Sequence, residues 1–420
     1  MRMWVIPMVY VGAAVSAGLS LPRFEQAYLA SDTLLLSIGS AQAYLSAAAS
    51  GMMSLTGIVF AMGFVMVQFS AIAYSPRLVL WFARDPILFH ALGVFSATFI
   101  YALFTLVWVD RGGGGSVPLF SSLLVGVLIV LSMLLFAKLI QRLGDLQISN
   151  VLHSIGDRGR AVIIELFPPI ANSATLADEP EWTAVDGHAL GPIMRELRYS
   201  GPPRTIARIK TGALVKLAQR GKATIVMLSA VGDTLVEDTP LLRIHGVGPA
   251  LRDDEILRTI ELRRERTFEQ DPKYPIRLLV DVAIKALSPA INDPTTAVQT
   301  IDQIEDLLRR LGGSQLEAGV SRDADGIVRL VLPMPSWDDY VTLAFDEIRL
   351  YGATSVQVMR RMRSALVSLV HSPLPPARIQ RLQNYLFHLD AVVAASPFDF
   401  QDKNMASQED RQGIGMSRRP

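Results

Sequence analysis

The sequence predicts an α-helical membrane protein with four transmembrane helices and a cytoplasmic α+β region. Half of the 420 residues are apolar, and they are concentrated in the first third of the chain. No charged side chain occurs from Thr33 to Pro76. After residue 140 the composition becomes mixed and charged, as expected for a region that folds in water.

Transmembrane helices are predicted at residues 3–20, 45–73, 86–109 and 117–140, within a transmembrane domain at 1–145. A helix needs about 20 residues to cross the bilayer core, and the last three apolar runs reach that length. The first run is shorter, and Val15-Ser16-Ala17 would suit signal-peptidase cleavage. A removed signal peptide is therefore the alternative to a first spanning helix.

Lys and Arg residues in short loops indicate the orientation of the helices. Arg77 and Arg84 lie between the second and third helices, and Lys138 and Arg142 lie at the end of the fourth. Both termini are therefore expected in the cytoplasm. The glycine-rich run Gly112–Ser116 is then a short external turn.

The second helix carries small residues at helical spacing. Ser46, Ser50 and Ser54 recur every four residues, with Gly57 one turn later and Gln68 near the end. Small residues let helices approach closely in lipid, so the face favours packing within or between subunits. The alternative is a pore lining. No charged residue inside this helix marks a proton relay.

The remaining chain is predicted to form a β-rich domain at 146–250, a mainly helical domain at 251–395 and a disordered tail at 396–420. Residues 158–169 are interpreted as a strand, and 170–191 as an irregular insertion.

Residues 203–246 read as strand, helix, strand, turn and two strands. Their Gly-Asp-x-x-Val-x-x-x-x-Pro-Leu pattern is similar to half of a lipoyl or biotinyl carrier, which indicates a small barrel-sandwich-like fold. Carrier chemistry needs a modified lysine at the hairpin tip, whereas Gly232 and Asp233 stand there. We therefore expect the fold without that chemistry.

The helical domain begins with a charged run at 253–272, predicted as an amphipathic helix. Apolar residues at three-and-four spacing predict further helices, and residues 326–334 predict a strand. These helices are expected near 275–287, 297–311, 337–370 with a break at Gly352, and 376–394.

The segment Ala286–Val298, ALSPAINDPTTAV, separates two of these helices. Pro294 suits the first position of a helix, and Asp293 can cap its free amides. The alternative is a small-ligand or ion site, or a subunit contact, at the positive helix end. The candidate residues of this loop are Ser288, Asn292, Asp293, Thr295 and Thr296.

No catalytic, cofactor or metal site is predicted. The chain has no cysteine, and its six histidines have no metal-ligand spacing. A formal charge of +1 gives no support to nucleic-acid binding.

The segment Gly51–Phe104 resembles a bacterial predicted-membrane-protein family known as domain of unknown function 2254. The shared features include Gly57 with Phe60, the run Ser75-Pro76-Arg77-Leu78 and Thr98-Phe99 with Tyr101. Ala286–Val298 resembles a further block of this family, and Asp410–Gly415 its C-terminal signature. Two departures are Ala290, where glycine is usual, and Pro202, where tyrosine is usual.

The resemblance implies a multi-pass membrane protein with a cytoplasmic domain and no established activity. Together with the small-residue helix, it favours a non-enzymatic homo-oligomer of the bacterial inner membrane, channel-like or sensor-like, whose partner is the lipid bilayer. A membrane-anchored scaffold that binds an unidentified cytoplasmic protein or lipid headgroups is the alternative. A membrane enzyme with a dispersed site is less favoured.

Overall fold

The computed structural model describes residues 3–28, 37–73, 86–111, 117–144, 147–170, 190–246, 248, 251–316 and 319–416. The chain divides into an N-terminal unit, residues 1–150, and a C-terminal unit, residues 151–420. Three predicted features lie outside the described residues: the turn Gly112–Ser116, the run Ser75–Leu78 and nearly all of the insertion at 170–191.

The N-terminal unit contains α1 (Val5–Tyr28), α2 (Ile38–Ala73), α3 (Pro86–Trp108) and α4 (Leu119–Gly144). All four are long and apolar enough to cross a membrane, by length and composition. The expectation of four apolar helices is confirmed, although several boundaries differ, and α4 ends at Gly144, four residues beyond the predicted end at 140. The second helix starts near residue 38, not 45, because the Ser37 hydroxyl accepts a hydrogen bond from the Ser40 amide and caps the helix.

The first helix extends to residue 28, beyond the predicted end at 20, because its polar end is bonded to α4. The buried Glu25 carboxylate accepts hydrogen bonds from the amides of Phe120 and Ser121, at 2.7 and 3.0 Å, and from the Ser121 hydroxyl. A carboxylate at this place is stabilised by the positive end of the α4 dipole.

Helix α3 lies against α1, α2 and α4. Glycines permit the closest approaches: a Cβ on Gly18 would lie 2.6 Å from the Phe104 Cβ, and one on Gly93 would lie 2.5 Å from the Tyr10 ring. Close packing through glycine is typical of helices in lipid.

The C-terminal unit is a mixed helical and sheet region. Helix α5 (Ile148–Leu166) begins just before it and lies mostly within it. The other helices are α6 Thr211–Arg220, α7 Asp253–Leu257, α8 Lys273–Ala286, α9 Pro294–Gly312, α10 Trp337–Gly352, α11 Val356–Val370, α12 Pro376–Ala395 and α13 Phe400–Ala406. The strands are β1 Ile193–Arg198, β2 Arg204–Ile209, β3 Ala223–Met227, β4 Thr234–Leu235, β5 Pro240–Gly246, β6 Ile260–Arg263, β7 Val320–Arg322 and β8 Val328–Val331.

These strands form two sheets, a five-stranded one in the order β1-β5-β3-β8-β7 and a three-stranded one in the order β4-β2-β6. Every pairing is antiparallel except that of β3 with β8. The sheets share one apolar core, which includes Ile206, Ile225, Leu242 and Leu330, with α6 packed on it through Leu214.

Two predicted elements are wrong. Residues 158–166, predicted as a strand, belong to α5, because Val151, Ile155 and Ile163 bury one helical face together with two glycines. The charged run at 253–272 is not one helix. Its apolar Ile260 joins the core, and β6 pairs with β2.

The sequence predicts separate β-rich and helical domains with a boundary at residue 250. In the structure residues 151–420 form one compact unit, since β6 pairs with β2 and β8 pairs with β3. The tail predicted to be disordered from residue 396 includes α13 and a folded segment at 409–416. Buried polar contacts with α11, described below, hold that segment in place.

Candidate functional site

The candidate residues of α2 all lie on one exposed face of the helix. These residues are Ser46, Ser50, Ser54, Gly57 and Gln68. At 3.6 residues per turn they fall within an arc of roughly 80°. The opposite face is buried and carries Ala41, Leu45, Met52, Val59 and Met66. We call the exposed face the α2 stripe.

Within the described residues the α2 stripe is not a contact surface of the subunit. A Cβ added to Gly57, or to the neighbouring Gly51, would meet nothing within 4 Å, whereas one on Gly63 would touch Leu88 of α3. The Ser54 hydroxyl donates to the Ser50 carbonyl at 3.1 Å. The five candidate residues are therefore small or polar and open to lipid, water or another copy of the chain, and the exposed Phe64 lies on the same face of the helix.

The second candidate is the loop between α8 and α9. Helix α8 ends at Ala286, and the Ser288 hydroxyl donates to the Lys285 carbonyl at 2.7 Å. Asn292 adopts a left-handed backbone with φ 49°, a conformation that asparagine tolerates better than most residues. The loop is thus a tight, hydrogen-bonded connection.

Asp293 caps α9, as predicted. Its carboxylate accepts from the Thr296 amide at 3.1 Å and from the Thr296 hydroxyl at 2.6 Å, and Pro294 is the first helical residue. The positive end of α9 is therefore already neutralised by its own side chain. Asn292 and Thr295 are exposed and stay available for a contact.

A third polar cluster was not identified as a contact from the sequence. Arg360 of α11 is 1% exposed, and its guanidinium donates to the carbonyls of Glu409, Gly415 and Met416 at 3.4, 3.0 and 3.0 Å. Asp410 is also buried and accepts from three amides of the same segment, at 2.6 to 3.1 Å. We call residues 409–416 with Arg360 the C-terminal clasp.

The clasp rests on α9, one turn beyond its cap. A Cβ on Gly413, whose φ is +66°, would lie 2.3 Å from Val298, so only glycine fits there. The segment Asp410–Gly415 therefore packs on the same helix that the Asp293–Pro294 turn begins, although the two are distant in sequence.

Helix α9 also carries acidic side chains that bind neighbouring helices. Asp306 pairs with Arg160 of α5 at 2.8 Å, and Glu305 pairs with Arg361 of α11 at 2.7 Å and with Arg309 at 2.9 Å. Burial alone would raise the pKa of Glu305, but its hydrogen bonds with Arg361 and other partners outweigh burial and lower that pKa.

A cavity of about 200 Å³ lies in the C-terminal unit, where the end of α5, the start of α6, the start of α8 and β7 converge. We call it the α5 cavity. Its lining residues are Glu165, Leu166, Ile209, Thr211, Ala230, Val231, Gln270, Asp271, Pro272, Lys273, Ser321, Leu332, Pro333, Met334 and Pro335.

The walls of the α5 cavity are held by internal bonds. The Gln270 side chain accepts from the Ile209 amide at 2.9 Å. Both carboxylate oxygens of the buried Asp271 accept from Arg266. A Cβ on Gly232 would come within 2.5 Å of the Asp271 carboxylate, so the turn between β3 and β4 packs directly on this ion pair. The sequence predicts a hairpin tip here, but β3 and β4 lie in different sheets, so the turn connects the two sheets.

Among the described residues, no group of three or more His, Asp or Glu side chains is arranged to hold a metal ion.

A family model described as a predicted membrane protein, DUF2254, matches residues 1–368. The chain belongs to this family. It is also 26% identical over 415 residues to uncharacterised proteins of Mycobacterium bovis and Mycobacterium tuberculosis, a stretch that covers 96% of this chain and 77% of each relative. No solved structure matches.

The DUF2254 match includes the α2 stripe, the α8–α9 loop and the α5 cavity. It ends within α11, so α12, α13 and residues 409–416 of the clasp lie beyond it. The relatives are uncharacterised, so function has to be argued from the geometry of this chain.

Proposed function

We propose that this protein is a non-enzymatic, multi-pass protein of the bacterial inner membrane with both termini in the cytoplasm. Copies assemble so that their α2 stripes face a common axis and form a channel-like path. The C-terminal unit gates this path or senses a signal. The observation that carries the proposal is the exposure of all five candidate residues of α2 on one face.

The outer surface of the N-terminal unit supports a bilayer location. Large apolar side chains of α3 and α4, such as Val107, Leu123 and Val130, are more than half exposed, which is costly in water but expected in lipid. At the end of α3, the guanidinium groups of Arg23 and Arg111 stack on Trp108, at 5.4 and 4.2 Å from the ring centre. Tryptophan and arginine are typical of the membrane–water interface.

The chemistry of the α2 stripe supports contact between copies. Lipid tails gain little from serine and glycine, whereas helices that meet through small residues gain close van der Waals packing. Serine hydroxyls and the terminal Gln68 also tolerate water better than the apolar surface around them. Both properties suit helices arranged around a narrow axis.

The test uses the absence of cysteine from the natural chain. Ser50→Cys is expected to form disulfide-linked dimers in membranes under mild oxidation. Leu134→Cys, at an exposed apolar position of α4, is the matched control and is expected to stay monomeric. A monomeric mass in detergent, with no cross-linking at Ser46, Ser50 or Ser54, would remove the proposal.

A membrane-anchored scaffold is the second candidate, favoured by two aromatic side chains of the C-terminal unit. Phe387 is 78% exposed and Phe400 is 85% exposed. Such side chains are typical anchors of protein contacts. A protein that co-purifies with the natural chain but not with Phe387→Ser would favour this function. Unchanged co-purification would count against it.

A further inference from the structure

We propose that the α5 cavity binds a zwitterionic small molecule of amino-acid size, with Lys273 holding its carboxylate and Glu165 its ammonium group. The inference deepens the sensing role proposed above, because it names what the C-terminal unit senses. Binding is measured without any flux, so the two proposals can fail separately.

The charges of the α5 cavity favour a ligand with both signs. Lys273, which is half-buried, and Glu165, which is exposed, line the same cavity, and neither has an ion-pair partner among the described residues. Asp271 does not compete for a cation, since Arg266 occupies both its oxygens. A simple anion would be repelled by Glu165, and a simple cation would be repelled by Lys273. A zwitterion can place an opposite charge next to each of them.

The neighbours of Lys273 suit a carboxylate. Thr211 lines the cavity and begins α6, whose first two amides have no acceptor within the helix, while the amide of Ala213 donates to the Lys210 carbonyl at 3.0 Å. The N-cap residue Lys210 provides no side-chain bond to them. A carboxylate between Lys273 and Thr211 would therefore receive a charged donor and a hydroxyl donor from two separate helices.

Size and wall composition restrict the rest of the ligand. The cavity volume of about 200 Å³ is below the range of drug-sized pockets. Leu166, Val231, Leu332 and Met334 provide an apolar wall. An apolar amino acid such as leucine fits these limits, with its side chain against that wall.

The cavity lies at the end of α5. Glu165 and Leu166 are the last residues of α5, and α5 begins at Ile148, shortly after α4 ends at Gly144. Along α5, Arg160 is bonded to Asp306 of α9. A ligand held by Glu165 and Lys273 therefore connects the end of α5 with the start of α8.

The experiment is isothermal titration of the full-length protein in detergent with L-leucine and two analogues that each lack one charge. These are 4-methylpentanoate, without the amine, and 3-methylbutylamine, without the carboxylate. We expect leucine to bind and each analogue to bind at least about tenfold more weakly, the factor expected from losing one charged contact. Equal binding of either analogue would overturn the zwitterion assignment.

Variants test whether leucine binds in the α5 cavity. Lys273→Met and Glu165→Gln should each weaken leucine binding at least about tenfold. Lys216→Met and Glu265→Gln, at exposed positions outside the cavity, should bind like the natural chain. Thermal unfolding without ligand verifies that each variant is folded. No binding of leucine, isoleucine, methionine or phenylalanine at millimolar concentration, or full binding by Lys273→Met, would overturn the proposal.

Discussion

The C-terminal clasp yields a quantitative prediction for Arg360→Met. Methionine keeps an apolar stem of similar length but cannot donate hydrogen bonds. The variant therefore leaves the carbonyls of Gly415 and Met416, both at 3.0 Å from the guanidinium, without their donor. The weaker contact with Glu409, at 3.4 Å, is lost as well.

The magnitude follows from the burial of the clasp. A hydrogen bond with a charged partner contributes about 1.5–3 kcal/mol, so two short bonds suggest about 3–6 kcal/mol. In the variant, residues 409–416 can detach and expose their carbonyls to water, so the loss of stability should lie near the lower end of this range. We expect about 3 kcal/mol. For a unit of this size, that lowers the unfolding midpoint by roughly 6–12 °C.

The assay is thermal unfolding of the purified protein, combined with limited proteolysis of the C-terminal segment. Arg258→Met is the matched control, because Arg258 is an exposed residue paired with Asp254 at 3.2 Å. It should change stability by less than about 1 kcal/mol. If Arg360→Met unfolds within a degree of the natural chain and its tail resists protease equally, the clasp does not stabilise the unit.

Three further predictions concern the same unit. Asp293→Ala should cost about 1–2 kcal/mol in urea unfolding and Asp293→Asn clearly less, since asparagine also caps helices; equal losses would contradict the cap. Because the pKa of Glu305 is lowered in the fold, its pairing stabilises the fold fully above the ordinary glutamate pKa of about 4.3. This stabilisation is lost as the pH falls through the lowered pKa. Arg361→Met should flatten this acid dependence, and an unchanged urea-midpoint profile between neutral and acid pH would refute it. Gly232→Ala should lower the free energy of unfolding by more than about 2 kcal/mol, because φ is +91° and the new Cβ would meet a buried carboxylate. The control Gly326→Ala, with φ +77° and open space around it, should lower the free energy of unfolding by about 1 kcal/mol. Similar losses in the two variants would show that backbone strain alone sets the cost.

Features with a local cause could be predicted from the sequence. The four apolar helices follow from run length alone, and the start of α9 follows from Asp293 and Pro294 within one turn. The strand order along residues 203–246 follows from alternating apolar residues and the Gly232 turn.

Features that depend on contacts between distant parts of the chain could not be predicted from the sequence. Helix α5 buries Gly156 and Gly159 against Gln303 and Leu307 of α9, and glycine contributes nothing to an apolar pattern. The clasp depends on Arg360 meeting backbone carbonyls about fifty residues away along the chain. The α5 cavity is formed by segments that are far apart in sequence. Even for the α2 stripe, the sequence gives the spacing, but only the fold shows that this face is open.

Ion flux through liposomes that contain Ser54→Cys tests the central claim most directly. Ser54 lies within the α2 stripe and is exposed, so a charged, membrane-impermeant thiol reagent should reach it from water if the stripe lines a path. We predict ion flux that falls after treatment with the reagent, while the cysteine-free natural protein keeps its flux. Liposomes that show no flux, or flux that persists although Cys at this position is fully modified, would contradict a channel-like role for α2.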